Sequence, residues 1–134
     1  MKTKAVLTQQ EVQKILTAAR EEALKNNWAM AIAIADDGGH LLALERLDDC
    51  VPICSYIAME KARTSALGRR ESKAYEDIIS DGRNSFMTVP VLSAILEGGV
   101  PIIYEGQVIG AIGVSGAKSF QDAQVAKAGA SALS

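Results

Sequence analysis

The stretch EGGVPIIYEGQVIGAIGVSG, residues Glu97–Gly116, contains the clearest secondary-structure pattern of the chain. Two apolar segments rich in valine and isoleucine, Val100–Tyr104 and Gln107–Val114, are separated by only two residues, the second of which is glycine. Such a pattern predicts a β-hairpin. Gly110 and Gly113 interrupt the second strand, and glycine inside a strand indicates that a bulky group or another backbone comes close there.

A second hairpin is predicted in the first third of the chain. Trp28–Ala35 alternates larger apolar residues with alanine, so neither face of the predicted strand is polar. We therefore expect a central strand covered on both sides, with a helix able to come close over the alanines. Two aspartates and two glycines then form a turn, and the chain returns as a strand over His40–Arg46. A further short strand is predicted at Val91–Ile95.

Helices are predicted before, between and after the hairpins. Thr8 and Glu11 form a capping box, and apolar residues then recur at helical spacing until Asn26 and Asn27 end the helix. Hairpins rather than crossovers connect the strands, so we expect an antiparallel sheet covered by helices and an α+β fold. The other predicted helices run from Pro52 to about Leu67, from Ser72 to Ser80 and from about Ser119 to Leu133, the last capped by Gln121 and Asp122.

The composition fits a single globular domain over residues 1–134. Hydrophobic residues make up 49% and charged residues 22% of the chain, and the formal net charge of −2 is spread without long runs of one sign, which disfavours a nucleic-acid partner. No apolar run approaches the ~20 residues of a membrane span, and the N-terminal segment lacks the apolar core of a signal peptide. We therefore expect a cytosolic protein with neither a nucleic-acid nor a membrane partner.

The glycine-rich segment does not match the common nucleotide-binding motifs. The spacing of Gly110, Gly113 and Gly116 differs from the dinucleotide fingerprint, and Gly116-Ala-Lys-Ser119 has one residue too many for the phosphate-binding GK[ST] pattern. The nucleophile elbow of a hydrolase is also absent from the sequence. At the end of the segment, Ser115 and Gly116 lead into a helix whose first N–H groups can hold an anion.

Two side chains, His40 and Cys50, are candidate metal ligands. Cys50 and Cys54 are four residues apart, and an isolated pair in a cytosolic protein is expected to be two buried thiols rather than a disulfide or a zinc site. His40, the one histidine, follows two glycines at a turn, where it can reach a haem, an iron ion or, as the plainer alternative, only solvent.

Charged and hydroxyl side chains follow the second strand of the first predicted hairpin. Arg46 and Asp48 lie at its exit, and Lys61, Arg63 and Thr64 lie along the next helix. Arginine can hold a carboxylate through two parallel hydrogen bonds, so one interpretation is a site for haem propionates or another carboxylate. The other interpretation is an ion pair within the chain, either Arg with Asp or Asp with Lys.

Ordered blocks along essentially the whole chain carry a family pattern. These blocks are Asp36-x-x-Gly39-His-Leu41 with Arg46-x-Asp48, Ala58-x-x-Lys61-Ala62-x-Thr64, Gly98-Gly99-x-Pro101-Ile102, the segment Gly106–Gly116, and Gln121-Asp122. Together they resemble the GlcG/HbpS haem-binding family, which also includes the C-terminal domain of PduO-type corrinoid adenosyltransferases.

The resemblance implies a profilin-like or PAS-like domain with a roughly five-stranded antiparallel sheet flanked by helices, assembling as a dimer or larger ring. Members of the family look like haem or tetrapyrrole binders, some are proposed to degrade haem, and many accompany glycolate or diol and glycerol metabolism. The chain departs from the family pattern at Leu47, Asp49 and Cys50, where Met, Gly and Ala are usual, and it has no histidine in the first predicted helix. The adenosyltransferase domain is missing, so that activity is not implied.

The leading hypothesis is a small cytosolic accessory protein that binds haem or a related tetrapyrrole, as a binder and not a catalyst, with His40 or Cys50 as the iron ligand. One alternative is an enzyme that breaks down haem or acts on a small hydroxy-carbonyl substrate. Another is a ligand-free structural partner of a corrinoid-dependent dehydratase. The ligand is expected in a groove between the glycine hairpin and the Arg46–Thr64 region, lined by Arg46, Asp48, Lys61, Thr64, Gly99, Pro101, Gly113, Ser115, Gly116 and Lys118.

Overall fold

The computed structural model describes residues 1–133, and these residues contain four β-strands in one sheet. The strands are β1 (Ala31–Asp36), β2 (Leu41–Arg46), β3 (Gly99–Tyr104) and β4 (Gln107–Ser115), in the spatial order β2-β1-β4-β3. Every neighbouring pair is antiparallel, so the two predicted hairpins and the α+β class are confirmed.

Helices cover both faces of this sheet. α2 lies on one face, while α1 and α4 pack together on the other. The first helix begins as predicted, because the carboxylate of Glu11 accepts the backbone N–H of Thr8 at 2.9 Å. None of the helices in residues 1–133 is long and apolar enough to cross a membrane. Their bounds are α1 (Gln9–Lys25), α2 (Ile53–Gly68), α3 (Lys73–Ser80) and α4 (Ser119–Ala130), with 3-10 helices at Asn84–Thr88 and Ser131–Leu133.

The prediction of a strand at Val91–Ile95 is wrong, and the described residues form four strands where the resemblance implies roughly five. Residues 89–97 do not join the sheet. Instead, the backbone N–H groups of Leu92 and Leu96 donate to the carbonyls of Val89 and Ala94, at 3.1 and 2.8 Å, which closes local turns. Ala94 also has a φ of 49°, far from the strand region. A short apolar run does not by itself distinguish a strand from a partly buried loop.

The two faces of the sheet are packed differently because β1 alternates large and small residues. Ile32 and Ile34 are fully buried beneath α1 and α4. The opposite face presents alanines to α2, which contributes Ala58 and Ala62 to the contact. Small side chains on both sides let α2 lie close to the sheet, as the alternation in the sequence predicts.

The closest approach of α2 to the sheet is at Gly113 in β4. A Cβ atom on Gly113 would lie 2.1 Å from the carbonyl oxygen of Ala58 and 2.5 Å from the backbone nitrogen of Ala62. A Cβ atom on Gly110 would lie 2.5 Å from the carbonyl oxygen of Ala35. The prediction that another backbone comes close to these two glycines is therefore confirmed.

A half-buried ion pair joins α1 to β2. Arg20 donates from Nε and Nη2 to the two carboxylate oxygens of Glu45, at 2.5 and 2.8 Å. These hydrogen bonds lower the pKa of Glu45 from its ordinary value of 4.5, against the opposing effect of burial. A carboxyl whose pKa is lowered by folding stabilises the protein above its unfolded pKa, and this contribution is lost as the pH falls through the folded pKa.

We expect Glu45→Gln to lower the free energy of unfolding by about 1 kcal/mol at pH 7, because the charged pair becomes a weaker hydrogen bond. At about pH 2 the difference should vanish, since Glu45 is then protonated in both states. Urea denaturation at the two pH values measures this, with Glu21→Gln on the exposed side of the same helix as the control. A loss of equal size at both pH values would contradict the assignment to charge.

Candidate functional site

The predicted site residues fall into two groups at opposite ends of β2. Arg46 is the last residue of the strand, and His40 directly precedes its first residue. A strand of this length spans roughly 20 Å. We call the two regions the Arg46 end and the His40 end. Because Cys50 follows Arg46 in the loop to α2, His40 and Cys50 cannot bind the same iron within one chain.

The Arg46 end brings together residues that are distant in sequence. Arg46 and Ser115 are both register partners of Ala31, one on each side of it. Directly paired residues of neighbouring strands project to the same face, which here is the face covered by α2. Arg46 is exposed, whereas Ser115 is buried. Asp48, two residues beyond Arg46, is also exposed.

The loop after β2 turns Cys50 towards α2. The N–H of Cys50 donates to the carbonyl of Leu47 at 3.2 Å, and Asp49 has a φ of 69°, in the left-handed region. Cys50 and Cys54 are free thiols and both are buried, as predicted. Burial raises the pKa of Cys50 to about 11; a thiol–thiol hydrogen bond with Cys54 adds to this, while the charge of Arg46 acts against it. Cys50 is therefore a neutral thiol at pH 7.

A buried ion pair lies beneath this end of the sheet. Lys61 is only 2% exposed, and its Nζ donates to the carbonyl of Val114 at 2.8 Å and to the carboxylate of Asp122 at 3.1 Å. Asp122 also accepts the backbone N–H of Ala117 at 3.0 Å. Burial raises the pKa of Asp122 above its ordinary value, although Lys61 and the N–H donors oppose this. The pair joins α2, β4 and the start of α4.

The ammonium of Lys61 is thus bound by groups of the chain itself. Thr64, one turn further along α2, is fully buried, and its hydroxyl donates to the carbonyl of Ser93 at 3.4 Å. The space beside Gly99 and Gly113 is filled, since a Cβ atom on either glycine would lie within 2.3 Å of a backbone oxygen of α2. The groove expected between the glycine hairpin and α2 is therefore occupied by α2.

The remaining predicted ligand-binding residues lie at the margins. Pro101 is half-buried in the edge strand β3. Gly116 has a φ of 151° and follows β4, where a Cβ atom would lie 2.4 Å from the carbonyl oxygen of Ala29. Lys118 is exposed at the start of α4, and its N–H donates to the side chain of Gln121 at 3.1 Å. This contact supports the predicted capping role of Gln121.

An open surface groove of about 600 Å³ lies at the Arg46 end, between the C-terminal part of α1 and the loop after β2. Trp28 and Leu47 form the apolar parts of its wall. Arg46 is the cation in this wall, and among the described residues no carboxylate lies within salt-bridge distance of it. The groove is bounded further by Leu24, Asn27, Ala29, Glu45, Asp48 and Asp49.

At the His40 end, the imidazole is held by a carboxylate. The side chain of His40 is 80% exposed, and its Nδ1 lies 3.1 Å from a carboxylate oxygen of Asp36. Although burial opposes the change, the backbone N–H groups of His40 and Gly38 lower the pKa of Asp36, which keeps this carboxylate charged. A neutral imidazole that donates its Nδ1 proton to Asp36 has a free electron pair on Nε2, which is the arrangement of a metal-binding histidine.

Apolar and cationic groups of α2 lie beside Gly39, the residue that precedes this histidine. A Cβ atom on the neighbouring Gly39 would lie 2.8 Å from Cγ of Arg63 and 3.5 Å from Cγ of Leu67, both on α2. Leu41 and Leu67 are 49% and 41% exposed. The guanidinium of Arg63 donates to the carboxylate of Glu60 at 2.7 and 3.0 Å. Exposed apolar side chains grouped with a cation are a feature of binding surfaces.

Sequence reasoning missed two features of these ends. Asp122 is predicted only as a capping residue, and the predicted ion pairs do not include its pairing with Lys61. Asp36, which orients His40, was treated only as a turn residue. The sequence carries a signal only for the second feature, namely the four-residue spacing from Asp36 to His40.

The sequence and the fold both match known proteins. The family described as "Haem degrading protein HbpS-like" matches residues 7–131. Protein GlcG of Escherichia coli is 61% identical over 115 residues, which is 86% of this chain and 85% of GlcG. Both matches extend over the two ends of β2.

Two solved structures share the fold. The crystal structure of HbpS superposes with a TM-score of 0.90 at 28% identity, covering 100% of this chain and 94% of HbpS. The crystal structure of a PduOC:heme complex superposes with a TM-score of 0.85, covering 96% of this chain and 95% of PduOC, and at 22% identity this likeness concerns the fold. On the sequence matches, the chain belongs to the HbpS-like family that includes GlcG.

Proposed function

We propose that the protein is a small cytosolic accessory protein that binds one haem per subunit at the His40 end. The observation that carries the proposal is the exposed imidazole of His40, whose Nδ1 faces the carboxylate of Asp36. Haem iron already has four porphyrin nitrogens, so one oriented imidazole is enough to bind it. The two free cysteines fit the reducing cytosol.

The groups near Gly39, next to His40 in the chain, match the other parts of haem. Leu41 and Leu67 supply exposed apolar surface for the macrocycle. Arg63, whose guanidinium also donates to Glu60, supplies a half-exposed cation that a propionate would share with that carboxylate. HbpS-like proteins are described as haem degrading, and PduOC was crystallised as a haem complex. Haem, when bound, would supply an iron centre, and the part of this chain would be to hold and orient it.

The thiol of Cys50 is the alternative ligand. It is buried, and with a pKa of about 11 it must lose a proton before it can bind iron, which makes iron binding compete with protonation at pH 7. Arg46 beside it could then hold a propionate at the Arg46 end. The imidazole of His40 is 80% exposed and needs no movement of the core to reach a ligand, and we therefore favour the His40 end.

Haemin titration followed by absorbance distinguishes the two ligands. We expect wild type and Cys50→Ala to give a saturable Soret shift at one haem per subunit. His40→Ala should lose the shift, and Asp36→Asn should weaken haemin binding about 10- to 100-fold, because removal of a carboxylate that orients a metal-binding histidine has effects of that size. If Cys50→Ala loses the shift and His40→Ala retains it, the site lies at the Arg46 end instead.

Haem degradation is the second candidate function, favoured by the family description. The saturated complex should then lose its Soret band in the presence of oxygen and an electron donor, and it should keep the band without the donor. A complex that is stable under both conditions would leave haem binding as the function.

Self-association and a metabolic partner complete the proposal. Large apolar side chains are exposed at the start of α2, namely Val51, Ile53 and Tyr56, and such a group supports a dimer or larger ring. The link to glycolate or to diol and glycerol metabolism rests on the family resemblance. A protein that binds no haemin and instead copurifies with a metabolic enzyme would favour the structural-partner alternative.

A further inference from the structure

The outer face of α2 carries apolar side chains where a helix covered by solvent normally carries charged ones. Ile53, Tyr56 and Leu67 are 62%, 68% and 41% exposed. The helix contains only three charged residues, and one of them, Lys61, is buried. A helix without a polar face is expected to be covered all round. The sheet covers one side of α2, so its outer side needs a partner of its own.

The exposed and half-exposed residues of α2 form a regular stripe. Positions 53, 56, 60, 63 and 67 are separated by three, four, three and four residues, which is the spacing of the contact positions in a coiled coil. Glu60 and Arg63 occupy the middle of the stripe, with apolar residues on both sides of them. We call these five residues, Ile53, Tyr56, Glu60, Arg63 and Leu67, the α2 seam.

The two charges in the middle of the α2 seam are only partly used within the chain. Nε and Nη2 of Arg63 donate to Oε2 of Glu60 at 3.0 and 2.7 Å, and the hydroxyl of Ser93 donates to the same oxygen at 3.0 Å. Within residues 1–133, Oε1 of Glu60 and Nη1 of Arg63 make no hydrogen bond. Each of them is free to bind a group of opposite charge from outside the chain.

We propose that the α2 seam is the interface of a dimer in which α2 packs antiparallel against α2 of a second copy. The inference rests on the self-association in the proposed function and gives it a surface. A twofold axis midway between residues 60 and 63 brings Glu60 opposite the partner's Arg63. The same axis brings Tyr56 opposite the partner's Leu67, so apolar contacts flank the central charges.

Charge complementarity selects both the occupant and its direction. In a parallel pair equal residues would meet, so Glu60 would face Glu60 and Arg63 would face Arg63, and like charges in contact are unfavourable. In the antiparallel pair the four charges alternate in sign. Because both copies use the same surface, the contact closes at two subunits.

The pairing also adds a residue to the His40 end. Leu67 lies beside Gly39, since a Cβ atom on Gly39 would lie 3.5 Å from Cγ of Leu67. The partner's Tyr56, opposite Leu67, would extend the apolar surface next to His40 with an aromatic ring. Arg63 has five N–H groups, enough for both carboxylates of the seam and for a propionate. Only this consequence depends on the proposed haem site.

Sedimentation velocity of the full chain without ligand, over a range of concentrations, tests the interface. We expect wild type to be a dimer. Tyr56→Ala should raise the dissociation constant of the dimer about 30-fold or more, as is typical of an aromatic anchor in an interface. Phe120→Ala, which removes an aromatic ring of similar exposure on α4, is the matched control and should leave the constant unchanged. Circular dichroism verifies that both variants are folded.

Charge reversal tests the direction of the pairing. Glu60→Lys and Arg63→Glu each place like charges opposite each other, so each single variant should dissociate. The double variant has opposite charges in contact again if the helices are antiparallel, and it should form a dimer. A parallel pair would keep like charges in contact in the double variant.

Three results would overturn the inference. The first is wild type that remains monomeric at the highest concentration, which also removes self-association from the proposed function. The second is an oligomer that Tyr56→Ala leaves intact, which keeps self-association but assigns it to another surface. The third is a double charge-reversal variant that remains dissociated while wild type is a dimer.

Haemin titration of the dissociated Tyr56→Ala variant tests the residue added to the His40 end. We expect haemin affinity to fall about tenfold, because the aromatic contact is lost. An unchanged affinity would overturn the contribution of the partner's Tyr56. Sedimentation requires no haem, so a protein that fails to bind haemin fails the proposed function and leaves the result on the interface unchanged.

Discussion

Gly113→Ala is expected to lower the free energy of unfolding by about 3 kcal/mol or more, because one added methyl group cannot fit between β4 and α2. The new Cβ atom would lie 2.1 Å from the carbonyl oxygen of Ala58 and 2.5 Å from the backbone nitrogen of Ala62. Both are backbone atoms of a helix, so no side-chain rotation can relieve the contact. α2 must move as a whole, which opens the contact along the alanines. Urea denaturation followed by circular dichroism measures the loss.

Gly82→Ala is the matched control for this substitution. Gly82 has a φ of 106°, so alanine there is strained, but a Cβ atom would meet no other atom within 4 Å. We expect a smaller loss at Gly82, of about 1–2 kcal/mol. Equal losses at the two positions would mean that α2 accommodates the methyl group by an easy shift, contrary to the tight contact at Gly113.

Removal of one partner of the buried ion pair is expected to have the second large effect. Lys61→Met leaves the carboxylate of Asp122 buried without its cation, and we expect a loss of about 3–5 kcal/mol in the free energy of unfolding. Asp122→Asn leaves the ammonium of Lys61 unpaired and should cost a similar amount. The double variant should lose less than the sum of the two, since no buried charge then remains.

Urea denaturation of wild type, both single variants and the double variant completes this cycle. Lys73→Met removes the cation of an exposed pair with Asp77 on α3 and serves as the control, for which we expect no measurable change. Additive losses in the cycle, or a Lys61→Met variant as stable as wild type, would show that Lys61 and Asp122 do not depend on each other.

The parts of the fold that the sequence predicts correctly are those specified by neighbouring residues. Thr8 and Glu11 cap α1 through a contact three residues apart, and both hairpins close over turns of a few residues. The alternation of isoleucine and alanine in β1 also predicts its two covered faces, because successive strand residues point to opposite sides. The strand predicted at Val91–Ile95 fails because its apolar run carries no turn or pairing signal of its own.

The site could be predicted only in part because its partners come together through tertiary structure. Lys61 and Asp122 are far apart in the chain, and α2 has small residues on several sides, so its sequence does not reveal that Lys61 faces inward. α2 fills the space beside Gly113, where the sequence predicts a groove for the ligand. His40 and Cys50 are only ten residues apart in sequence, but the extended strand β2 lies between them and holds them far apart.

The proposed haem site can be tested by one comparison of wild type with His40→Ala. Both proteins are titrated with haemin at equal subunit concentration, and the Soret absorbance is followed. We predict that wild type shows a clear break at one haem per subunit and that His40→Ala shows none. A wild-type curve that drifts upward without a break, and that coincides with the curve of His40→Ala, would contradict haem binding by this protein.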